Sequence, residues 1–130
     1  MRKLAPRPHG YIDYLVVLLF VLAPTIFGYA DDGAAATTTY FIAALHFGLS
    51  VLTRYPLGIV KLIPFPIHGG IELAAAISLV VLPWIVGFNH DAAPRNLFVI
   101  SAIAIFGVWL VTDYRAAELE GPRRGMPLTR

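Results

Sequence analysis

Cysteine is absent from the 130 residues of the chain, and charged residues are scarce. Without cysteine the chain cannot form disulfides, thiolate zinc sites or iron–sulfur clusters, and it has no thiol chemistry. Only 14% of the residues are charged and 58% are hydrophobic, whereas soluble domains average about 25% charged residues. Because a small domain needs proportionally more polar surface than a large one, this composition excludes both a soluble globule and a disordered chain.

Motifs that would identify an enzyme are missing as well. The sequence contains no glycine-rich phosphate loop, no nucleophile elbow and no zinc-protease motif. No motif for RNA or DNA binding accompanies its net charge of +2. We therefore predict a protein that is not an enzyme, that carries no cofactor and that does not bind nucleic acid.

Four long segments are almost free of charge, and they dominate the chain. They are Gly10–Ala30, Gly33–Thr53, Gly69–Phe88 and Asn96–Thr112, of 17 to 21 residues. A bilayer core of about 30 Å is crossed by about 20 helical residues, and four open strands could not close a barrel. The sequence therefore predicts an all-α polytopic membrane protein, in which residues 1–130 form a single membrane domain with four transmembrane helices in the lipid bilayer.

The breaks between these segments predict how the helices connect. Short polar breaks after the first and third segments favour two antiparallel helical hairpins. The middle connection, residues 56–67, is apolar and contains Pro56, Pro64 and Pro66, which are poorly tolerated inside a helix. We expect this connection to lie in the membrane interface. Residues 115–130 are rich in arginine, and we expect them to form a flexible cytoplasmic tail.

Basic residues are distributed unequally between the two predicted sides of the membrane. The side with both termini and the middle connection has nine lysines and arginines, whereas the other side has only Arg95. Because cytoplasmic segments of membrane proteins are enriched in these residues, we expect both termini to be cytoplasmic and the protein to lie in the inner (cytoplasmic) membrane. The nine residues are Arg2, Lys3, Arg7, Arg54, Lys61, Arg115, Arg123, Arg124 and Arg130.

The two halves of the sequence resemble each other at an offset of 59 residues. Residues 9–55 align without a gap to residues 68–114, and 14 of the 47 aligned positions are identical. Composition alone would give about four identities. The sequence therefore predicts two tandem hairpin repeats in parallel orientation, related by a pseudo-twofold axis along the membrane normal.

Six of the repeated residues are predicted to shape and pack the helices. The prolines fall about one turn before helix ends, and the glycines four residues later suit those ends. A further glycine lies inside the second helix of each hairpin, where a missing side chain lets a partner backbone approach closely. These residues are Pro24 and Pro83, Gly28 and Gly87, and Gly48 and Gly107.

The end of the first helix in each repeat resembles a known signature. The second copy reads Leu82-Pro83-Trp84 and continues to Gly87-Phe88, and the first copy has Pro24 and Gly28 at the matching positions. This pattern resembles the SPW repeat of small bacterial integral membrane proteins, although leucine or alanine replaces the serine and the first copy has threonine for tryptophan. The resemblance implies a four-helix membrane protein and no established activity.

Two histidine–acid pairs are the strongest candidates for chemistry. His9 precedes Asp13 by four residues and His68 precedes Glu72 by four, so each pair lies on one helical face. If the two first helices meet, the four side chains converge on a site for a divalent transition metal or for proton relay. The alternative is that each pair forms only a local hydrogen bond at its helix entry, where the helix dipole favours the acid.

His46 lies near the middle of its predicted span, and the other repeat has Ile105 at the matching position. An isolated histidine inside a membrane helix is usually an interhelical hydrogen-bond donor. A haem would need a second axial histidine at similar depth, which only a homodimer would provide.

Three functions are compatible with these features. The first is a structural or accessory protein that packs with itself or with other membrane proteins, and we favour it because no polar path crosses the predicted spans. The second is a small oligomeric transporter or channel that uses Asp13 and Glu72. The third is a metal- or haem-binding membrane component that uses His9, His68 or His46.

Overall fold

A computed structural model describes residues 3–116 of the chain as four α-helices. They are α1 (Pro6–Ile26), α2 (Gly33–Leu52), α3 (Phe65–Val86) and α4 (Ala92–Val111). All four are long and apolar enough to cross a membrane. The predicted all-α, four-helix fold is therefore confirmed. The predicted cytoplasmic tail lies outside the described residues except for residues 115 and 116.

Three of the helices begin four residues earlier than the charge-free segments predicted. They start at Pro6, Phe65 and Ala92. The middle connection comprises residues 53–64, which is as long as the predicted 56–67 but lies three residues earlier, and Pro66 lies in the first turn of α3. Proline is tolerated there because the first N–H groups of a helix have no partner within the helix. The charge-free segments start later than the helices because they exclude Arg7, Arg95 and the prolines of these first turns.

The helices pack as two hairpins. α1 packs against α2, α3 packs against α4, and the hairpins also touch where α2 meets α3. The starts of α3 and α4 follow those of α1 and α2 by 59 residues, which is the offset found in the sequence. The connections between α1 and α2 and between α3 and α4 are short and lie at one end of the bundle, which we call the far end. Asp32 and Asp91 cap α2 and α4 there by accepting hydrogen bonds from backbone N–H groups of the first turn.

Backbone segments cover the opposite end of the bundle, which we call the terminal end. In the middle connection, Ile59 and Val60 donate backbone hydrogen bonds to the Val51 carbonyl, which the end of α2 leaves free. In the other half, Leu4 donates in the same way to the carbonyl of Val111 at the end of α4. Each hairpin thus has its last turn closed by a segment folded back over it. Ile59 is 74% exposed, which suits the predicted interfacial position of the connection.

The half of the bundle away from the terminal end has an apolar core, and its exposed surface is apolar too. Phe20 and Phe98 meet inside with ring centroids 5.5 Å apart. Large apolar side chains such as Leu15 and Ile85 point outward and are exposed. A continuous apolar exterior of this kind suits lipid as the surrounding solvent, because in water it would be an aggregation surface.

The six repeated prolines and glycines occupy three kinds of position. Pro24 and Pro83 lie inside α1 and α3, close to their far ends. The glycines four residues later have φ of 74° and 96°, the left-handed region in which glycine is favoured. Nothing in the described chain lies within 4 Å of a Cβ built at Gly48 or Gly107, so the predicted close approach at these two glycines would have to come from a second molecule.

A comparison of two glycine substitutions tests these assignments. Gly87→Ala should destabilise the protein by about 1–2 kcal/mol, because an L-residue is strained at its φ. Gly107→Ala should be neutral or stabilising by about 0.5–1 kcal/mol, since it improves helix propensity in open space. Unfolding in mixed detergent micelles measures both variants. Marked destabilisation by Gly107→Ala would contradict its open position and point to a partner helix there.

Candidate metal centre

Four ionisable side chains converge at the terminal end of the bundle. His9 and Asp13 come from the first two turns of α1, and His68 and Glu72 come from the same turns of α3. None is more than 2% exposed. One ligand atom from each lies within 4.8 Å of the other three. The convergent arrangement, one of the two alternatives that the sequence left open, is the one present in the structure.

Each histidine contacts both carboxylates, and not only the one four residues later in its own helix. The Nε2 atom of His9 lies 3.3 Å from Asp13 Oδ1 and 3.4 Å from Glu72 Oε2. The Nε2 atom of His68 lies 3.5 Å from Asp13 Oδ2 and 3.7 Å from Glu72 Oε2. The two Nε2 atoms are 3.4 Å apart. All these distances join atoms around one small common volume.

The outer nitrogens of the two imidazoles bind threonines of the opposite hairpin. His9 Nδ1 is 2.9 Å from Thr112 Oγ1, and His68 Nδ1 is 2.8 Å from Thr53 Oγ1. Both threonine hydroxyls donate their one proton to the backbone carbonyl four residues earlier, at 2.6 and 2.7 Å. Each hydroxyl must therefore accept from its histidine, so Nδ1 carries a proton in both rings.

This assignment of protons leaves an electrostatic conflict inside the cluster. In a neutral imidazole with a proton on Nδ1, Nε2 presents a bare lone pair. The lone pairs of His9 and His68 then face each other and face two carboxylates, among side chains that are at most 2% exposed. Such an arrangement is repulsive unless a cation or additional protons lie among the four groups.

Two tyrosines support the carboxylates. The hydroxyl of Tyr55 donates to Asp13 Oδ2 at 2.9 Å, and that of Tyr114 donates to Glu72 Oε2. Burial raises the pKa of both phenols, and the neighbouring carboxylate raises it further. Both tyrosines therefore remain protonated donors. Each follows the second helix of the hairpin whose first helix carries its carboxylate.

Two glycines make room for these tyrosines. A Cβ built on Gly69 would lie 2.8 Å from the ring of Tyr114, and one on Gly10 would lie 2.9 Å from the ring of Tyr55. Contacts this short do not occur for real side chains, so the rings reach the carboxylates only because glycine follows each histidine. In each half, the glycine after the histidine therefore provides the space that the tyrosine ring occupies.

Phe65 closes the cluster toward the terminal end. Its side chain is 1% exposed, and its ring centroid is 5.1 Å from that of His9 and 5.5 Å from that of His68. It also packs against the rings of Tyr55 and Tyr114. The aromatic layer separates the four polar groups from solvent at this end.

His46 lies beside the cluster but outside its four-ligand group. It is 9% exposed, and its Nε2 has no hydrogen-bond partner among residues 3–116. The nearest carboxylate oxygen is Asp13 Oδ1, at 3.6 Å. Since Nε2 faces Asp13 inside its own chain, His46 is not placed to share a haem with a second copy.

Sequence analysis identified the four central residues but not the two threonines that orient the histidines. Thr53 and Thr112, like Tyr55 and Tyr114, are identical pairs at the offset of 59. That identity was the available signal. Their partners could not be read from it, because the hydrogen bonds join residues 15 to 103 positions apart.

Comparisons of the chain with protein-family models, with curated proteins and with solved structures found no match. The resemblance to the SPW repeat therefore stays a prediction, and the site must be interpreted from its own geometry.

The packing of Tyr114 on Gly69 can be tested with two neighbouring residues. Gly69→Ala should destabilise the protein by about 1–3 kcal/mol, because the added methyl group overlaps the Tyr114 ring. Gly70→Ala is the matched control, since nothing lies within 4 Å of its Cβ position. Thermal unfolding in micelles measures both. Equal stability of the two variants would contradict the described packing of the tyrosine.

Proposed function

We propose that this protein binds one divalent transition metal ion of the Zn²⁺ class within its membrane domain, through His9, Asp13, His68 and Glu72. The observation that carries the proposal is the spacing of the ligand atoms. Each histidine Nε2 lies 3.3–3.7 Å from an oxygen of each carboxylate and 3.4 Å from the other Nε2, and one ligand atom of each of the four residues lies within 4.8 Å of the other three. Ligands about 2.0–2.2 Å from a tetrahedral zinc ion are separated from one another by about 3.3–3.6 Å.

The same distances argue against protons as the compensating charge. A charge-assisted hydrogen bond from a protonated histidine to a carboxylate has a length of about 2.7–2.9 Å. The histidine–carboxylate distances are all longer than this, at 3.3 Å or more. The four groups surround a common centre instead of pairing with one another.

Charge balance supports a divalent ion. The two buried carboxylates carry two negative charges, and neutral histidines add none. A divalent cation makes the site neutral, which a low-dielectric environment strongly favours. Imidazole and carboxylate ligands together suit zinc and its neighbours in the first transition series.

The hydrogen bonds around the site are those expected of a metal centre. Ligating histidines usually donate their other N–H to an oxygen acceptor, which fixes the ring and the tautomer. Thr53 and Thr112 accept those bonds, and Tyr55 and Tyr114 donate to the carboxylates. With four protein ligands the site is of the closed, structural type. We infer that the metal fastens the two hairpins together.

We make three further inferences about the architecture. We infer that the two halves are copies of one hairpin unit, that the chain is a divergent SPW-repeat protein, and that it lies in the inner membrane with both termini cytoplasmic. Equivalent helix bounds in the two halves and the unequal distribution of basic residues support these inferences.

An accessory role is a second candidate. Gly48 and Gly107 have open space at their Cβ positions, in equivalent places on α2 and α4. A helix of another copy or of another membrane protein could approach closely there. Transport through Asp13 and Glu72 stays a prediction, and no contact in the structure favours it over metal binding.

Metal analysis of the purified protein tests the central proposal. We expect one zinc ion per chain after zinc exposure and gel filtration, with His9→Ala and His68→Ala both reducing it to background. His90→Ala is the matched control, because His90 is an exposed histidine at the far end of the bundle. Zinc should also raise the unfolding temperature of the wild type. Full zinc retention by His9→Ala, or wild-type protein without zinc, would refute the site.

The threonines allow a test that leaves the four ligands intact. Thr112→Val removes the acceptor of the His9 N–H while keeping nearly the same shape, and should weaken zinc binding roughly 10- to 100-fold. Thr38→Val on α2 is the control, since Thr38 is half-buried outside the cluster and its hydroxyl donates to the carbonyl of its own preceding turn. Competition with a chromogenic chelator measures the affinity. Unchanged affinity in Thr112→Val would exclude the described role of this bond.

Topology is testable with reporter fusions. A reporter that is active only in the cytoplasm should be active after Arg130 and inactive after Asn89, in the connection between α3 and α4. The basic residues near the termini set this expectation. The reverse pattern would overturn the orientation without affecting the metal site.

A further inference from the structure

A cavity on the α1–α4 side of the bundle leads to the carboxylates. Its volume is about 150 Å³, and its polar lining includes Asp13, Glu72 and His46. The rest of its lining is largely apolar, with Val16 and Ile105 among the contributors. The ion site is closed by Phe65 toward the terminal end, so the cavity meets the polar cluster from the membrane interior.

The cavity adjoins a larger groove that reaches the far end of the bundle. This groove has a volume of about 590 Å³ and shares Leu19, Ile100 and Ser101 with the cavity. Leu19 and Ile100 are themselves exposed, so the groove opens sideways to the surrounding lipid. Together the two spaces form a long apolar channel between α1 and α4 with its polar groups at the inner end.

The opposite side of the bundle provides an internal comparison. A cavity of about 200 Å³ between α2 and α3 is lined by residues at the equivalent positions, among them Ile42, Leu45 and Ile71. It touches His46 but neither carboxylate. One difference between the halves makes the α1–α4 side the more polar one. Ser101 lines its cavity where Ile42 lines the other, whereas His46 and Ile105 line both cavities.

His46 defines the chemistry at the inner end. Its buried Nε2 has no hydrogen-bond partner among residues 3–116 and lies 3.6 Å from Asp13 Oδ1. A nitrogen donor beside a carboxylate acceptor matches a hydroxyl group, which can accept from one and donate to the other. An anionic head group is disfavoured there, because it would meet the carboxylates of Asp13 and Glu72 in a low-dielectric space.

We propose that the α1–α4 channel binds a membrane-dissolved molecule with a hydroxyl head and a single long hydrocarbon body. The hydroxyl lies beside His46 Nε2 and Asp13 Oδ1, within hydrogen-bond distance of both, and the body follows the groove past Ser101 and Ile100. A phospholipid does not fit, because its charged head group is too large for a cavity of about 150 Å³. This site is additional to the proposed metal centre and rests on the channel and His46, not on zinc binding.

Photolabelling of the full-length protein in nanodiscs tests the proposal. The probe is farnesol carrying a diazirine at the end of its hydrocarbon chain. We expect labelled peptides from α4, within residues 92–108, and few from the equivalent residues 33–49 of α2. Excess farnesol should suppress the labelling, whereas farnesyl methyl ether, which lacks the hydroxyl proton, should compete about tenfold less well.

Three further variants, one of them a control, separate recognition of the head from recognition of the body. His46→Leu should weaken competition by farnesol about tenfold, and should abolish its advantage over the methyl ether. Ile100→Trp should block the groove, whereas Ile103→Trp, on a lipid-facing position of the same helix, should label like the wild type. Thermal unfolding confirms that each variant is folded.

Several results would overturn the proposal. Equal labelling of α2 and α4, or equal competition by the alcohol and its ether, would mean partition of the probe into lipid alone. If a hydroquinone with the same chain competes and farnesol does not, the head group is phenolic and the proposed aliphatic alcohol is wrong. Labelling is measured both with zinc and after chelation, and we expect it in both, so failure of zinc binding would not affect the result.

Discussion

The burial of two carboxylates in an apolar four-helix bundle is the constraint on which the rest of the structure depends. An uncompensated charge at such a site costs several kcal/mol, so each neighbouring group must either neutralise it or bind it. Asp13 and Glu72 each accept a hydrogen bond from a tyrosine hydroxyl, but the histidine Nε2 atoms that face them present lone pairs and add no compensation. A divalent cation at the centre would complete the compensation, which is why we propose metal binding.

Residues from both hairpins are needed to complete the polar cluster around the two carboxylates. Each tyrosine supports the carboxylate of its own hairpin, but each histidine is oriented by a threonine of the other one. The polar cluster therefore joins the hairpins at an end where α1 and α3 would otherwise have little to share. The polar cluster is therefore complete only when the two hairpins pack together.

Two differences between the halves lie at the interhelical cavities. Ile105 occupies the position equivalent to His46, and Ile42 occupies the position equivalent to Ser101. His46 and Ile105 line both cavities, whereas Ser101 and the two carboxylates line only the cavity on the α1–α4 side. The polar cluster, by contrast, keeps one histidine and one acid in each half.

The sequence by itself determined the four helices, their apolar exteriors and the placement of each histidine and its acid on one helical face, because these follow from local hydropathy and from spacing along one helix. Whether the two pairs meet depended on how the hairpins pack. The sequence did not determine that His9 would meet Thr112, that Gly69 would carry the ring of Tyr114, or that His46 would face Asp13. Those contacts depend on how each helix is rotated and on where the segments after α2 and α4 return. Only the packed hairpins decide this, because an apolar helix in lipid has no single face that its sequence alone must bury.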